Sequence, residues 1–164
     1  MNVNEKIHIE EYNSLWNNYA QSEIAIIKSY LGIDTMEHIG STAINGMKAK
    51  PIIDLLIGIN EFPPDNTTIQ GMENQGYVYM KENSVPNRLY FVKRREISYN
   101  VHIVKYNGSI WQTDLAFIKY MRRHPEEVQN YISIKEQIIN SRVNTLLEYS
   151  QLKSDYIISI NNKL

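Results

Sequence analysis

The chain predicts a mixed α/β fold, a small sheet flanked by helices and followed by a helical tail, and three observations lead there. An apolar run from Ile52 to Ile59 follows Pro51 and is hydrophobic at positions of both parities, as inner sheet strands are. Ahead of it, Trp16, Ala20, Ile24, Ile27 and Leu31 recur mostly three or four residues apart, the stripe of an amphipathic helix within Glu10–Leu31. Beyond Gly108 the helical period takes over for the rest of the chain.

In order, Gly32 suits a helix C-cap, and Asp34–Ile39 reads as a short strand running into the tight turn Gly40-Ser41. Ser41–Ala49 is a loop or short helix. After the strand 52–59, Pro63-Pro64 marks a connector, and Asp65 or Asn66 caps a short helix carrying Ile69 and Met72 that Gly76 closes. Tyr77–Met80 is a short strand and Lys81–Asn87 a loop. Arg88–Lys93 and Ile97–Tyr106 form an antiparallel pair joined through Arg94-Arg95-Glu96, and Lys93-Arg94-Arg95 reads as an exposed turn. Trp111, Leu115, Ile118 and Met121 stripe one helix, Pro125 opens the next with Val128, Ile132 and Ile138, and Leu146, Tyr149, Ile157 and Ile160 suggest a third.

With 164 residues and neither repeat nor linker, the expectation is one domain over residues 1–164. Seventeen basic against eighteen acidic residues leave a net charge of -1, so no global pull toward nucleic acid or membrane is expected and any anion site is local. The absence of cysteine removes thiolate metal sites and thiol nucleophiles. Neither a signal-type segment nor an apolar run long enough to span a bilayer is visible, which predicts a cytoplasmic protein.

Candidate chemistry gathers between His38 and Ile59. Asp54 lies inside Ile52-Ile53-Asp54-Leu55-Leu56-Ile57, where an unpartnered charge is costly to bury, so it is expected where the strand opens on a ligand or cation. Gly40-Ser41, at the end of one strand and about a dozen residues before a carboxylate on the next, is a phosphate-cradle arrangement: glycine admits an anion to the backbone, and amides with a hydroxyl bind it. The same pair is also an ordinary turn. His102 shares a strand face with Ser98 and Asn100 and serves as metal ligand, base or structural hydrogen-bonding group. His38, Lys48, Lys50 and Arg88 are further candidates for an anion, each with a solvated or structural alternative. Arg122-Arg123-His124 suits a helix C-terminus without any partner.

HIGSTA at 38–43, KPIIDLLIGI at 50–59, VHIV at 101–104, Trp111 with LAFIKYMRRHP at 115–125, and Tyr149-x-x-x-Lys153 together resemble the GrpB-like family of the nucleotidyltransferase fold superfamily over nearly the whole chain. The resemblance implies a small mixed sheet with helices on it. It also implies a Gly40-Ser41 turn holding a nucleotide, and magnesium held by Asp54 with His102 as a compensating ligand. In that superfamily two carboxylates stand at i and i+2 of a strand, on one face. Matching the apolar residues that follow, Asp54 takes the second place and Ile52 stands where the first carboxylate should be; in the other register Leu56 stands at the second place, so either way one acid is missing. Three readings follow: a magnesium-dependent nucleotidyl transfer to an unidentified acceptor, a nucleotide-binding or regulatory module that has lost catalysis, and a purely structural domain. The expected partner is a nucleotide or other small phosphorylated ligand.

Overall fold

A computed structural model describes residues 8–164 apart from 142 and 144, and the side chains of 146 and 147 are likewise outside the description. Five strands form one sheet in the order β1-β2-β5-β4-β3. They are β1 (Met36–Ile39), β2 (Ile52–Ile59), β3 (Val78–Tyr79), β4 (Arg88–Lys93) and β5 (Ser98–Lys105). Only β2 and β5 run parallel; β1, β4 and β3 pair antiparallel with their neighbours. The apolar strand 52–59 is thus an inner strand, and Arg88–Lys93 with Ser98–Lys105 is the expected antiparallel pair.

Five helices surround the sheet: α1 (Leu15–Leu31), α2 (Asn66–Asn74), α3 (Ser109–Arg123), α4 (Pro125–Asn140) and α5 (Leu146–Asn161). The first begins five residues later than its apolar stripe suggested, with the Asn13 side chain accepting from the Leu15 amide, and it ends on Gly32 in the left-handed conformation. Asp65 caps α2 by accepting from the Thr68 amide. Pro125 occupies the first turn of α4, where its missing N–H costs nothing. The place of Leu146 in a third apolar stripe falls on a side chain outside the description.

Period two along β2 divides the interior. Ile53, Leu55 and Ile57 face one way, with Val101, Ile103 and Phe91, into a core closed by Trp16, Ala20 and Ile27 of α1 and Met72 of α2. Leu56 faces the other way, with Val104, into a second core built by Trp111, Ile118 and Met121 of α3 and Val128, Tyr131 and Ile132 of α4. Gly58 permits the close approach of α3: a Cβ there would lie 2.8 Å from the Trp111 ring. Helix α5 packs on α4 and α3. Asp54 has the parity of Leu56, so it enters this second, three-helix side.

One reading from the sequence is corrected here. Lys93 is not part of an exposed turn: it is buried, paired with Glu23 of α1, and its amine lies 4.4 Å from the centre of the Tyr77 ring. Strand β4 runs through Lys93 and delivers the side chain to the α1 face. Arg94 turns back and donates to the Tyr99 carbonyl at 2.8 Å and to Asn100 Oδ1 at 2.9 Å.

Candidate functional site: a cationic cavity between the sheet and the last two helices

A cavity of about 480 Å³ opens between the second face of the sheet and α3, α4 and α5. Of the residues singled out above, it brings together Gly40, Ser41, Lys50, Asp54, Arg88 and His102, and it adds Asn100, Asp114, Tyr131, Lys135, Tyr149 and Lys153. His38 is not on its wall.

Asp54 sits opposite Asn100 in the parallel register, and the Asn100 amide donates to Asp54 Oδ1 at 2.8 Å. Asn100 is itself held by Arg94 and by the Tyr90 hydroxyl at 2.9 Å. Burial pushes the Asp54 carboxyl up, and Asn100 together with the charges of Lys153, Lys50 and Arg94 pulls it back. Its second oxygen lies against Gly40, whose φ is +72° and where any Cβ would stand 2.4 Å from Asp54 Oδ2. Glycine is therefore required at position 40 on two counts, conformation and space. A short 3₁₀ turn, Ser41–Ala43, follows and is clamped by Arg122, whose guanidinium donates twice to the Ala43 carbonyl at 3.0 and 2.8 Å. Arg122 thus has a specific task beyond suiting a helix end.

His38 steadies the same turn from behind, its Nε2 2.9 Å from Thr42 Oγ1, and burial with the nearby Arg122 charge lowers it to about 4. It braces the turn from outside the cavity wall. Lys48 likewise points elsewhere, bridging Glu11 and Glu136 at 2.9 Å each. Arg88 reaches the cavity wall but is bound to Asp114 at 2.7 Å. His102 stacks on Tyr90, ring centres 5.0 Å apart, and burial lowers it to about 3, so it is a neutral imidazole; its Nδ1 is buried without a partner. Its cross-strand neighbours are Leu56 and Tyr90, two pairs along from Asp54 and on the same face.

The side chains present do not fit a resident magnesium pair. Such a site needs several free carboxylate oxygens. Here Asp54 gives one oxygen to Asn100, Asp114 is bound by Arg88, and Ile52 is apolar; among the described residues no three His, Asp or Glu side chains converge. Imidazole suits softer metals than magnesium.

The cationic wall is better developed, and most of it lay on helices. Tyr131 and Lys135 on α4, and Tyr149 and Lys153 on α5, repeat one Tyr-x-x-x-Lys spacing, which puts each lysine one turn from its tyrosine. The amines lie 4.7 and 5.2 Å from the respective ring centres. Lys135 is 1% exposed, donates to the Lys48 carbonyl and stands 3.3 Å from Ser41 Oγ, with no carboxylate in contact. Burial, then the charges of Lys153 and Lys50, bring it down to about 7. Burial lowers Lys153 too, partly offset by Asp54.

A family model described as "GrpB protein" matches residues 6–163. The chain belongs to the GrpB family. Among GrpB relatives, UPF0157 protein YqkA of Bacillus subtilis (strain 168) is 31% identical over 155 residues, 93% of this chain but 45% of that protein. The glutamate-rich protein GrpB of Alkalihalophilus pseudofirmus is 24% identical, the match covering 91% of this chain and 90% of its own length. The chain thus spans under half of the first relative and nearly all of the second. The crystal structure of the conserved protein GrpB from Enterococcus faecalis superimposes with a TM-score of 0.84 at 28% identity, covering 95% of this chain and 96% of that one. These GrpB relatives carry no named function. Among the described residues no helix is long and apolar enough to cross a membrane.

Proposed function

We infer that the GrpB cavity binds a small phosphorylated molecule, a nucleotide being the leading class. One observation carries the reading: among the described residues no carboxylate forms an ion pair with Lys135 or Lys153, which line the cavity beside Lys50 and the Ser41 hydroxyl with Asp54 acting on Lys153 only through its field. Unpaired ammonium groups are costly to hold in a partly dry site and become favourable once an anion enters. Phe117, Ile118 and the stacked Tyr90–His102 pair supply an apolar and aromatic wall for an organic moiety.

The order of the Gly40-Ser41 turn before Asp54 supports a nucleotidyltransferase-type cleft. Ile52, where a first carboxylate would stand, supports a binding or regulatory module over two-metal transfer. The transfer reading keeps one specific support, the Asp54 carboxylate seated directly on the Gly40 turn, where a magnesium ion carried in on a nucleotide's phosphates would meet it.

A thermal-shift panel of nucleoside mono-, di- and triphosphates, sugar phosphates and inorganic phosphate, each with magnesium and with EDTA, tests both readings, because a ligand raises the melting point by mass action. Stabilisation in EDTA is expected. Stabilisation confined to magnesium restores the transfer reading, and no response to any phosphate removes the binding reading.

A further inference from the structure

The geometry points to a proton-coupled phosphate seat built by the twin Tyr-x-x-x-Lys pairs of α4 and α5, in which Lys135 and Lys153 receive a phosphate dianion together with a proton from solvent. It rests on the reading of the cavity as a phosphate site and adds the protonation state in which the ligand is held.

Lys135 Nζ has the Lys48 carbonyl as an acceptor, the Ser41 hydroxyl at 3.3 Å and the face of Tyr131, and among the described residues no carboxylate pairs with it. A hydroxyl gives or takes a hydrogen bond, so the same contacts serve a neutral amine, which accepts from Ser41, and an ammonium, which donates to it. Lys153 lies over Tyr149, as does Lys50 at 5.6 Å, so three lysines converge on one cavity wall. Among the described residues, the other charged groups lining the cavity are Asp54 from β2 and the ion pair of Arg88 from β4 with Asp114 from α3, while Arg94 acts on Asp54 from the turn after β4. Tyr131 and Tyr149 stay protonated, since burial raises both.

An empty cavity therefore favours giving up one ammonium proton: burial lowers Lys135, which is 1% exposed, to about 7, and lowers Lys153 as well. A phosphate monoester dianion reverses the balance. The step is RO–PO₃²⁻ plus Lys–NH₂ plus H⁺ from solvent, giving the bound dianion against Lys–NH₃⁺; no ligand bond breaks. Linkage then requires affinity to fall about tenfold per pH unit above the midpoint of the free amine. It also requires a selection: a dianion raises the amine's proton affinity more than a carboxylate of single charge does.

Protein labelled with ¹³C at lysine Cε, titrated by NMR from pH 5.5 to 9.5 in chloride and in inorganic phosphate of equal ionic strength, tests this. The expected result is one or two lysine signals titrating near neutrality in chloride, absent in Lys135→Met or Lys153→Met, with midpoints raised by ~1 pH unit or more in phosphate. The comparison of salts is made on the wild type, so it stands even where a variant does not fold. All lysines titrating together near their ordinary value overturns the proposal while leaving phosphate binding intact. Low midpoints that are identical in chloride and phosphate overturn the seat itself and, with a silent thermal-shift panel, the functional reading beneath it.

Discussion

Lys93 and Lys135 are both buried lysines, on opposite faces of one sheet, and their surroundings differ in one respect. Lys93 meets Glu23, which also accepts from the Tyr77 hydroxyl at 2.7 Å, so the buried charges of this cluster satisfy each other. Lys135 meets a carbonyl, a hydroxyl and a ring, and its cavity also holds the unpartnered His102 Nδ1 and Asn161 Oδ1. Among the described residues, two of the three buried side-chain atoms left without a partner line this cavity, the third being His38 Nδ1 behind the Gly40 turn. The difference separates a polar cluster that completes a core from one that awaits a ligand, since buried polar groups are normally satisfied.

Breaking the complete cluster has the largest expected effect. Glu23→Leu leaves Lys93 buried without a partner and takes the Tyr77 acceptor as well, so urea unfolding should show a loss of about 3–5 kcal/mol. Phosphate binding on the other face should persist in the fraction that remains folded.

Gly40→Ala comes next, because it attacks the turn shared by the cavity and the strand edge. A positive φ and a Cβ 2.4 Å from Asp54 Oδ2 predict a cost of about 1–3 kcal/mol. The same variant should lose ligand stabilisation in a thermal shift, since Ser41 and Asp54 move relative to each other.

How far these two faces were legible in the sequence differs. The inner strand, the Gly-Ser turn and Asp54 could be read because a carboxylate inside an apolar run and a glycine before a polar turn are local signals. Glu23 left a signal that was passed over: it falls on the stripe Trp16, Ala20, Glu23, Ile27 of α1, where a charge needs a buried partner. Lys135 was hidden, since α4 carries it in a charged Lys135-Glu136 stretch that looks solvated, and burial there depends on α5 arriving from elsewhere in the chain. Only the repetition of the Tyr149-x-x-x-Lys153 spacing at Tyr131-x-x-x-Lys135 pointed to it. Asn100, rather than His102, became the partner of Asp54 because strand register decides such pairs, and register is set by tertiary packing.

A smaller effect of opposite sign sharpens the comparison. Lys135→Met should stabilise the unliganded protein by about 1–2 kcal/mol, as replacing buried charge by apolar volume often does. The sign of its pH dependence follows from protons. The folded midpoint, about 7, lies below the ordinary 10.5, so the unfolded chain binds more protons between them and this lysine's contribution to stability rises with pH. Between pH 7 and 8 the gain is ~1 kcal/mol, visible as a rising urea midpoint in the wild type and reduced in the variant.

The smallest effect belongs to His102. Its folded midpoint of about 3 lies below the ordinary 6.5, so the unfolded state takes up the proton and stability is lost as pH falls through that window. From pH 7 to 6 the loss is below about 1 kcal/mol, and His102→Asn should flatten that limb of the urea-midpoint profile.

The most direct test of the lysine-built site is the affinity of adenosine 5′-monophosphate, measured calorimetrically in EDTA at pH 7, for the wild type, Asp54→Asn and the double variant Lys135→Met/Lys153→Met. The account predicts metal-free binding to the wild type, retained or strengthened in Asp54→Asn, and weakened at least about tenfold when both lysines are gone. Binding that appears only with magnesium, vanishes in Asp54→Asn and survives in the double-lysine variant would contradict it.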